Sequence, residues 1–176
     1  MKKHECLKRV FDVGVVNRAN NKYMWRMVKG RPVGSRERYL WSGISKHDLK
    51  DYNGAIADHT KAIDVSPNYA DAHEWRGNAK YDLEDYSGAI ADYTKAIDIN
   101  PNEAWPYVSR GNAKYDLEDY NGAIADYTKS IYIHPNFGAG SIGYYNRGIS
   151  KEKLGDLNAA CADWRKAVEL GDTDAA

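Results

Sequence analysis

Three side-chain types able to grip a partner recur in step along this chain. Asn78 and Asn112, Tyr81 and Tyr115, and Asp82 and Asp116 are pairs separated by 34 residues. An amide can bond an extended peptide backbone, and an aromatic ring supplies rigid contact area of hot-spot character. A carboxylate favours a segment bearing Lys or Arg. The same recurrence also follows from recent duplication of a unit whose face is merely solvated. Other chemistry finds little support. The histidines, His4, His47, His59, His73 and His134, form no ligand cluster with a following carboxylate. Cys6 and Cys161 have no metal spacing and read as buried or incidental thiols. Phosphate-loop, dinucleotide-binding and nucleophile-elbow glycine motifs are missing from the sequence. The expectation is a non-enzyme with no catalytic residue, metal or cofactor.

The element that must position these residues is a repeat. RGNAKYDLEDYSGAIADYTKAIDI begins at Arg76, and RGNAKYDLEDYNGAIADYTKSIYI, differing at three positions, begins at Arg110. A related segment begins at Ser42, and another at Arg147 after a three-residue insertion that falls most simply in Gly138-Ala139-Gly140. Within the second half of the unit, Ala89, Tyr93, Ala96 and Ile97 lie at helical spacing and form one apolar stripe. Asn53, Ser87, Asn121 and Asn158 stand where N-caps of that helix are expected. Tyr52, Tyr86, Tyr120 and Leu157 precede them as candidate hydrophobic staples. Ser-Pro, Asn-Pro and His-Pro pairs ending at Pro67, Pro101 and Pro135 should stop the helix. Gly54, Gly88 and Gly122, where the last unit has Ala159, reflect either a close backbone contact or sequence drift.

The period and these residues resemble the tetratricopeptide repeat, a helix–turn–helix unit. Signature positions fall at Gly43, Gly77, Gly111 and Gly148, and at Ala55, Ala89, Ala123 and Ala160. The bulky ring one turn later is His59, Tyr93, Tyr127 or Trp164. The resemblance implies an all-α fold, a right-handed superhelical array of antiparallel helix pairs. Its four units would span residues 36–69, 70–103, 104–137 and 141–174, behind a basic segment 1–35. It also implies that the first helix of each unit lines a concave groove. The lining positions map onto Glu37, Leu40, Ile44, His47 and Asp48, then Asp71, Glu74, Asn78, Tyr81 and Asp82. In the later units they map onto Trp105, Val108, Asn112, Tyr115 and Asp116, then Ile142, Tyr145, Ile149, Glu152 and Lys153. The candidate peptide-binding set is Glu74, Asn78, Tyr81, Asp82, Trp105, Asn112, Tyr115, Asp116 and Tyr145. The Lys/Asn/Arg clamp by which some members hold chaperone C-termini does not map onto this chain.

One departure from the family pattern carries a prediction. Where the family places a leucine facing the partner helix, this chain has Ser42, Arg76, Arg110 and Arg147. A buried unpaired charge is costly, and Asp58, Asp92, Asp126 and Asp163 follow sixteen residues on. An Arg–Asp pair between the two helices of a repeat is expected; the alternative is that the arginines snorkel to solvent.

The formal net charge is zero, but residues 1–38 carry eleven Lys/Arg against three Asp/Glu, and the remainder fourteen against twenty-two. The leading expectation is a protein-interaction module or scaffold that binds a peptide or protein, with a basic segment favoured. The alternative is a nucleic-acid-associated protein that makes contact through Arg18, Lys22, Arg26, Lys29 and Arg31, interleaved with Tyr23 and Trp25. The blander readings of that segment are a disordered tail or an N-terminal cap. Nucleic acid is the less expected partner. No apolar run is long enough for a membrane span and no signal peptide is apparent, so a cytoplasmic chain is expected. Nothing obvious caps the array after Leu170, which leaves self-association open.

Overall fold

A computed structural model describes residues 34–136 and 138–170. The basic arm and Cys6 lie outside the described residues. Contacts divide the chain into Met1–Ser35 and Arg36–Ala176, and the fold below is that of the second unit. Eight helices are described: α1 Ser35–Asp48, α2 Tyr52–Val65, α3 Ala70–Asp82, α4 Tyr86–Ile99, α5 Trp105–Asp116, α6 Tyr120–Ile133, α7 Ala139–Lys153 and α8 Leu157–Glu169. They form four successive pairs: α1 meets α2 where Gly43 lies under His59, and from α2 onward each helix packs on its neighbours in sequence, as the 34-residue period requires.

The turn within each pair is built the same way four times. Asp51, Asp85, Asp119 and Asp156 donate their backbone N–H to the carbonyls of Lys46, Lys80, Lys114 and Lys151 at 2.9–3.0 Å, which closes the first helix as a Schellman motif does. The residue before each aspartate has positive φ: Lys50 at 61°, Glu84 and Glu118 at 62°, and Gly155 at 84°. That left-handed residue turns the chain so sharply that the next helix begins at once. Each aspartate is therefore the N-cap, its Oδ1 accepting from the backbone N–H of Gly54, Gly88, Gly122 and Ala159 at 2.9–3.1 Å. This corrects the expectation of caps at Asn53, Ser87, Asn121 and Asn158, which lie inside the helices. It also corrects the staples. Tyr52, Tyr86 and Tyr120 are the first helical residues, and their rings meet His47, Tyr81 and Tyr115 edge-on with centroids 5.3–5.4 Å apart. Ala159 makes the same cap bond as the three glycines, so that bond does not require glycine.

The second helices stop as expected, at Val65, Ile99 and Ile133, ahead of the prolines. The insertion lengthens α7: after Gly138 (φ 52°), the helix starts at Ala139, three residues earlier than alignment with α5 requires.

The core is a file of alanines and rings. Ala55, Ala89, Ala123 and Ala160 are fully buried. Tyr93 and Tyr127 are 1 % exposed, each contributing about 2–3 kcal/mol through its buried ring. The rings lie over the signature glycines. An added Cβ at Gly77 would stand 2.7 Å from Tyr93 Cε1, and one at Gly111 would stand 2.6 Å from Tyr127 Cε1.

The predicted pairs are present. Arg76, Arg110 and Arg147 each donate through Nε and Nη2 to both oxygens of Asp92, Asp126 and Asp163 at 2.6–2.9 Å. These aspartates are buried, and the arginine side chains are only 16–19 % exposed, so the arginines do not snorkel. Lys80, Lys114 and Lys151 join them at 2.7 Å, a partner not expected from the sequence. In the first repeat Ser42 Oγ, Lys46 and Lys61 serve Asp58 instead. Burial alone would raise the Asp92 carboxyl, but the His73 ring 3.6 Å away and the close Arg76 and Lys80 cations outweigh it and hold the group well below its ordinary range.

Candidate functional site

Two pockets open side by side on the described array, of about 260 and 250 Å³. They are built from the same positions one repeat apart. His47, Asn78, Tyr81, Asp82 and Tyr93 line the first, with Ser109 and Asn112 closing it from the next repeat. Tyr81, Asn112, Tyr115, Asp116 and Tyr127 line the second, with Asn146 and Ile149 closing it. Six of the expected site residues, the two Asn–Tyr–Asp sets, are thus brought together.

The floor of each pocket fixes its amide. Tyr93 Oη donates to Asn78 Oδ1 at 2.9 Å, and Tyr127 Oη donates to Asn112 Oδ1 at 2.8 Å. Asn146 Nδ2 donates to the same Asn112 oxygen at 3.0 Å. With Oδ1 committed, Nδ2 of Asn78 and Asn112 is the group offered to the pocket, a donor suited to a peptide carbonyl. Burial pushes the Tyr93 and Tyr127 hydroxyls well above their ordinary range, with nearby tyrosines and carboxylates adding to it. Both stay protonated donors.

The carboxylates are held from the preceding repeat. Tyr81 Oη donates to Asp116 Oδ2 at 2.5 Å, and burial, then this bond, raises the Tyr81 hydroxyl far above its usual range. His47 Nε2 lies 2.8 Å from Asp82 Oδ2. The series breaks at the next rung, where Lys153 follows Asp82 and Asp116 in the repeat alignment. Asp48 holds the same place in repeat one, so the acidic series runs through repeats one to three, and only repeats two and three set an asparagine and a tyrosine beside it.

Glu74, Trp105 and Tyr145 do not line these pockets. Glu74 is half-buried where repeats one and three place Leu40 and Val108, and burial pushes its carboxyl up to about 7, with Glu103 and Asp71 adding to the shift. Trp105 is 44 % exposed. The Tyr145 carbonyl accepts from Trp164 Nε1 at 3.2 Å. Leu40 and Val108, expected to line the groove, are core residues instead, 4 % and 3 % exposed. Sequence reasoning missed Tyr93, Tyr127, Ser109 and Asn146. The signal for the tyrosines was a hydroxyl at a core position facing a glycine; for Ser109 and Asn146 it was polarity where Trp41 and Trp75 stand in the earlier repeats. Cys161 is exposed. No group of His, Cys, Asp and Glu among the described residues is placed to hold a metal ion, and no described helix is long and apolar enough to cross a membrane.

Comparison with known proteins agrees with this architecture. The family model for the TPR repeat matches residues 45–83 and 77–117, and that for the tetratricopeptide repeat matches residues 106–137 and 143–174. Among solved structures, MamA is 25% identical, covering 99% of this chain and 98% of its own, with a TM-score of 0.73. A MamA from Desulfovibrio magneticus RS-1, beginning at its residue 41, is 20% identical over 97% of this chain and 96% of its own, with a TM-score of 0.74. The first TPR of Spaghetti (RPAP3), bound to the HSP90 peptide SRMEEVD, is 21% identical over 69% of this chain and 94% of its own, with a TM-score of 0.65. No curated protein matches the sequence.

Proposed function

The chain belongs to the tetratricopeptide repeat family, and from that premise we propose that it is a protein-interaction scaffold holding an extended segment of a partner across the two pockets. The observation that carries this reading is their repetition. Each presents an amide donor fixed from below, a tyrosine and a carboxylate, one repeat apart. A strand-like peptide offers carbonyls and side chains in just such a series. The Asn78 and Asn112 amides would bind its carbonyls, Tyr81 and Tyr115 would pack its side chains, and Asp82 and Asp116 would favour Lys or Arg.

A neighbour of this fold holds an acidic peptide in its solved complex. The carboxylates here favour the opposite charge. Selection of random peptides on the full chain tests the difference. Enrichment of Lys- or Arg-bearing sequences, and at least tenfold weaker binding of the recovered peptide to Asn112→Ala and Asp116→Asn, is the expected outcome. Enrichment of acidic sequences, or indifference to both substitutions, would overturn the reading.

A further inference from the structure

Two pairs of positions set the joints between successive repeats: the members of the first vary together, and the second is an arginine and a threonine at all three joints. In the first pair, one first helix meets the next. Ile44 packs with Trp75 in one apolar cluster, Asn78 and Ser109 line one pocket, and Asn112 accepts from Asn146 at 3.0 Å. Apolar meets apolar, and polar meets polar. In the second pair, an arginine meets a hydroxyl on the second helix of the preceding repeat. Arg76 donates to Thr60 at 3.2 Å, Arg110 to Thr94 at 3.1 Å, and Arg147 to Thr128 at 3.0 Å.

The outer repeats carry the remaining halves of both pairs. The fourth repeat places Ile149 and Arg165 at the positions of Ile44 and Thr60; the first places Trp41 and Ser42 at those of Trp75 and Arg76. Ile149 with Trp41 repeats the apolar combination of the first joint. Arg165 with Ser42 repeats the arginine–hydroxyl combination with the two sides exchanged. Ser42 already donates to Asp58 at 2.6 Å, so an arginine arriving there would reach the one repeat aspartate that lacks an arginine of its own. Among the described residues both faces are open. Trp41 is 46 % exposed, and Val168 is 42 % exposed where its equivalents Ile97 and Ile131 are 7 % and 8 %.

We propose that α8 of one copy stacks on α1 of a second copy, with Trp41 seated against Ile149 and Arg165 bridging Ser42 and Asp58, so that the array continues from chain to chain. The joint is heterologous, so each added copy presents a free α8 and a free α1 again, and assembly runs on past a dimer. It is weaker than an internal joint at one place: Arg38 stands where Gly143 lets Ile131 approach, an added Cβ there standing 3.0 Å from Ile131 Cγ1. Association is therefore reversible and concentration-dependent, and because Ile149 also closes the second pocket, the joint adjoins that pocket.

Light scattering and sedimentation of the full chain over a wide dilution series test this directly. The weight-average mass should climb continuously above 19.8 kDa as concentration rises. Trp41→Glu should return the protein to a monomer, as should Ser42→Arg, which sets two arginines against each other. Ser42→Arg combined with Arg165→Thr rebuilds the internal arrangement and should recover association. Ser42→Arg gives the first repeat the arginine that the other three carry, so an unchanged helical circular dichroism signal is expected as the folding control. A monomeric mass at every concentration would overturn the proposal. So would a plateau at two copies, or association that survives both Trp41→Glu and Ser42→Arg.

Discussion

Repeats one and three share a backbone plan but fill it with different chemistry. In the third, Arg110 grips Asp126 with two hydrogen bonds, and Tyr127 reaches through to Asn112. In the first, Ser42 and two lysines serve the aspartate, and His59 and Ile44 replace the tyrosine and asparagine. His59 is fully buried, and neither ring nitrogen has a hydrogen-bond partner. Burial, with His47 nearby, lowers its pKa to about 4, so it is neutral at pH 7. The difference teaches that the pairs are replaced as units. Where the asparagine is lost, so is the hydroxyl that would have been stranded, and the amide donor of the pocket goes with them. Repeat one keeps the packing role and gives up the gripping surface.

The largest test of this contrast is the aspartate. Asp92→Ala leaves the half-buried Arg76 and Lys80 without a counter-charge and should cost about 3 kcal/mol in chemical denaturation. Asp58→Ala strands no arginine and should cost less, about 1–3 kcal/mol. Equal losses would erase the distinction between the repeats.

Acid should separate them next. The folded pKa of His59 lies below its unfolded value of 6.5, so the unfolded chain binds the proton first. Stability contributed by neutral His59 is full above pH 6.5 and is lost as pH falls toward about 4, by about 3 kcal/mol. Asp58, held at about 2 against 3.8 by its hydrogen bonds despite burial, gives up its contribution only as pH falls from about 4 to 2. Hydrogen exchange should therefore show α1 and α2 opening between pH 6.5 and 4 while α5 and α6 stay protected. His59→Phe should flatten that slope, and a slope unchanged by the substitution would contradict the assignment.

Smaller effects refine the picture. Tyr127→Phe removes one buried hydrogen bond and should cost about 1 kcal/mol in thermal unfolding, with Asn146 left to hold Asn112 Oδ1. Glu84→Gly and Glu118→Gly relieve a left-handed residue that Gly155 already occupies without strain. Each should stabilise by up to about 1 kcal/mol, whereas the equivalent change at Gly155 has nothing to offer.

Much of this was legible in the residues. The 34-residue identity gave the helix pairs, the prolines gave their ends, and a charged residue at a leucine position gave the Arg–Asp pairing. The caps were missed because a non-glycine residue in the left-handed region, such as Glu84, carries no sequence mark; without that turn, Asn53 is the natural N-cap. Six site residues could be read from their recurrence. The pocket floor could not, because Tyr93 and Tyr127 read as core, and only the glycine beneath the ring lets each hydroxyl reach an asparagine. Leu40 and Val108 were misplaced because a groove position and a core position share a helix face where the neighbouring repeat covers them.

The most direct test of the proposed grip reads the two amides themselves. Side-chain N–H signals of Asn78 and Asn112 should shift when the basic peptide recovered by selection is added to the full chain, and those of Asn53 and Asn158, on the exposed starts of second helices, should not. Shifts confined to Asn53 or Asn158, or none at Asn78 and Asn112 at saturating peptide, would contradict a partner held across the two pockets.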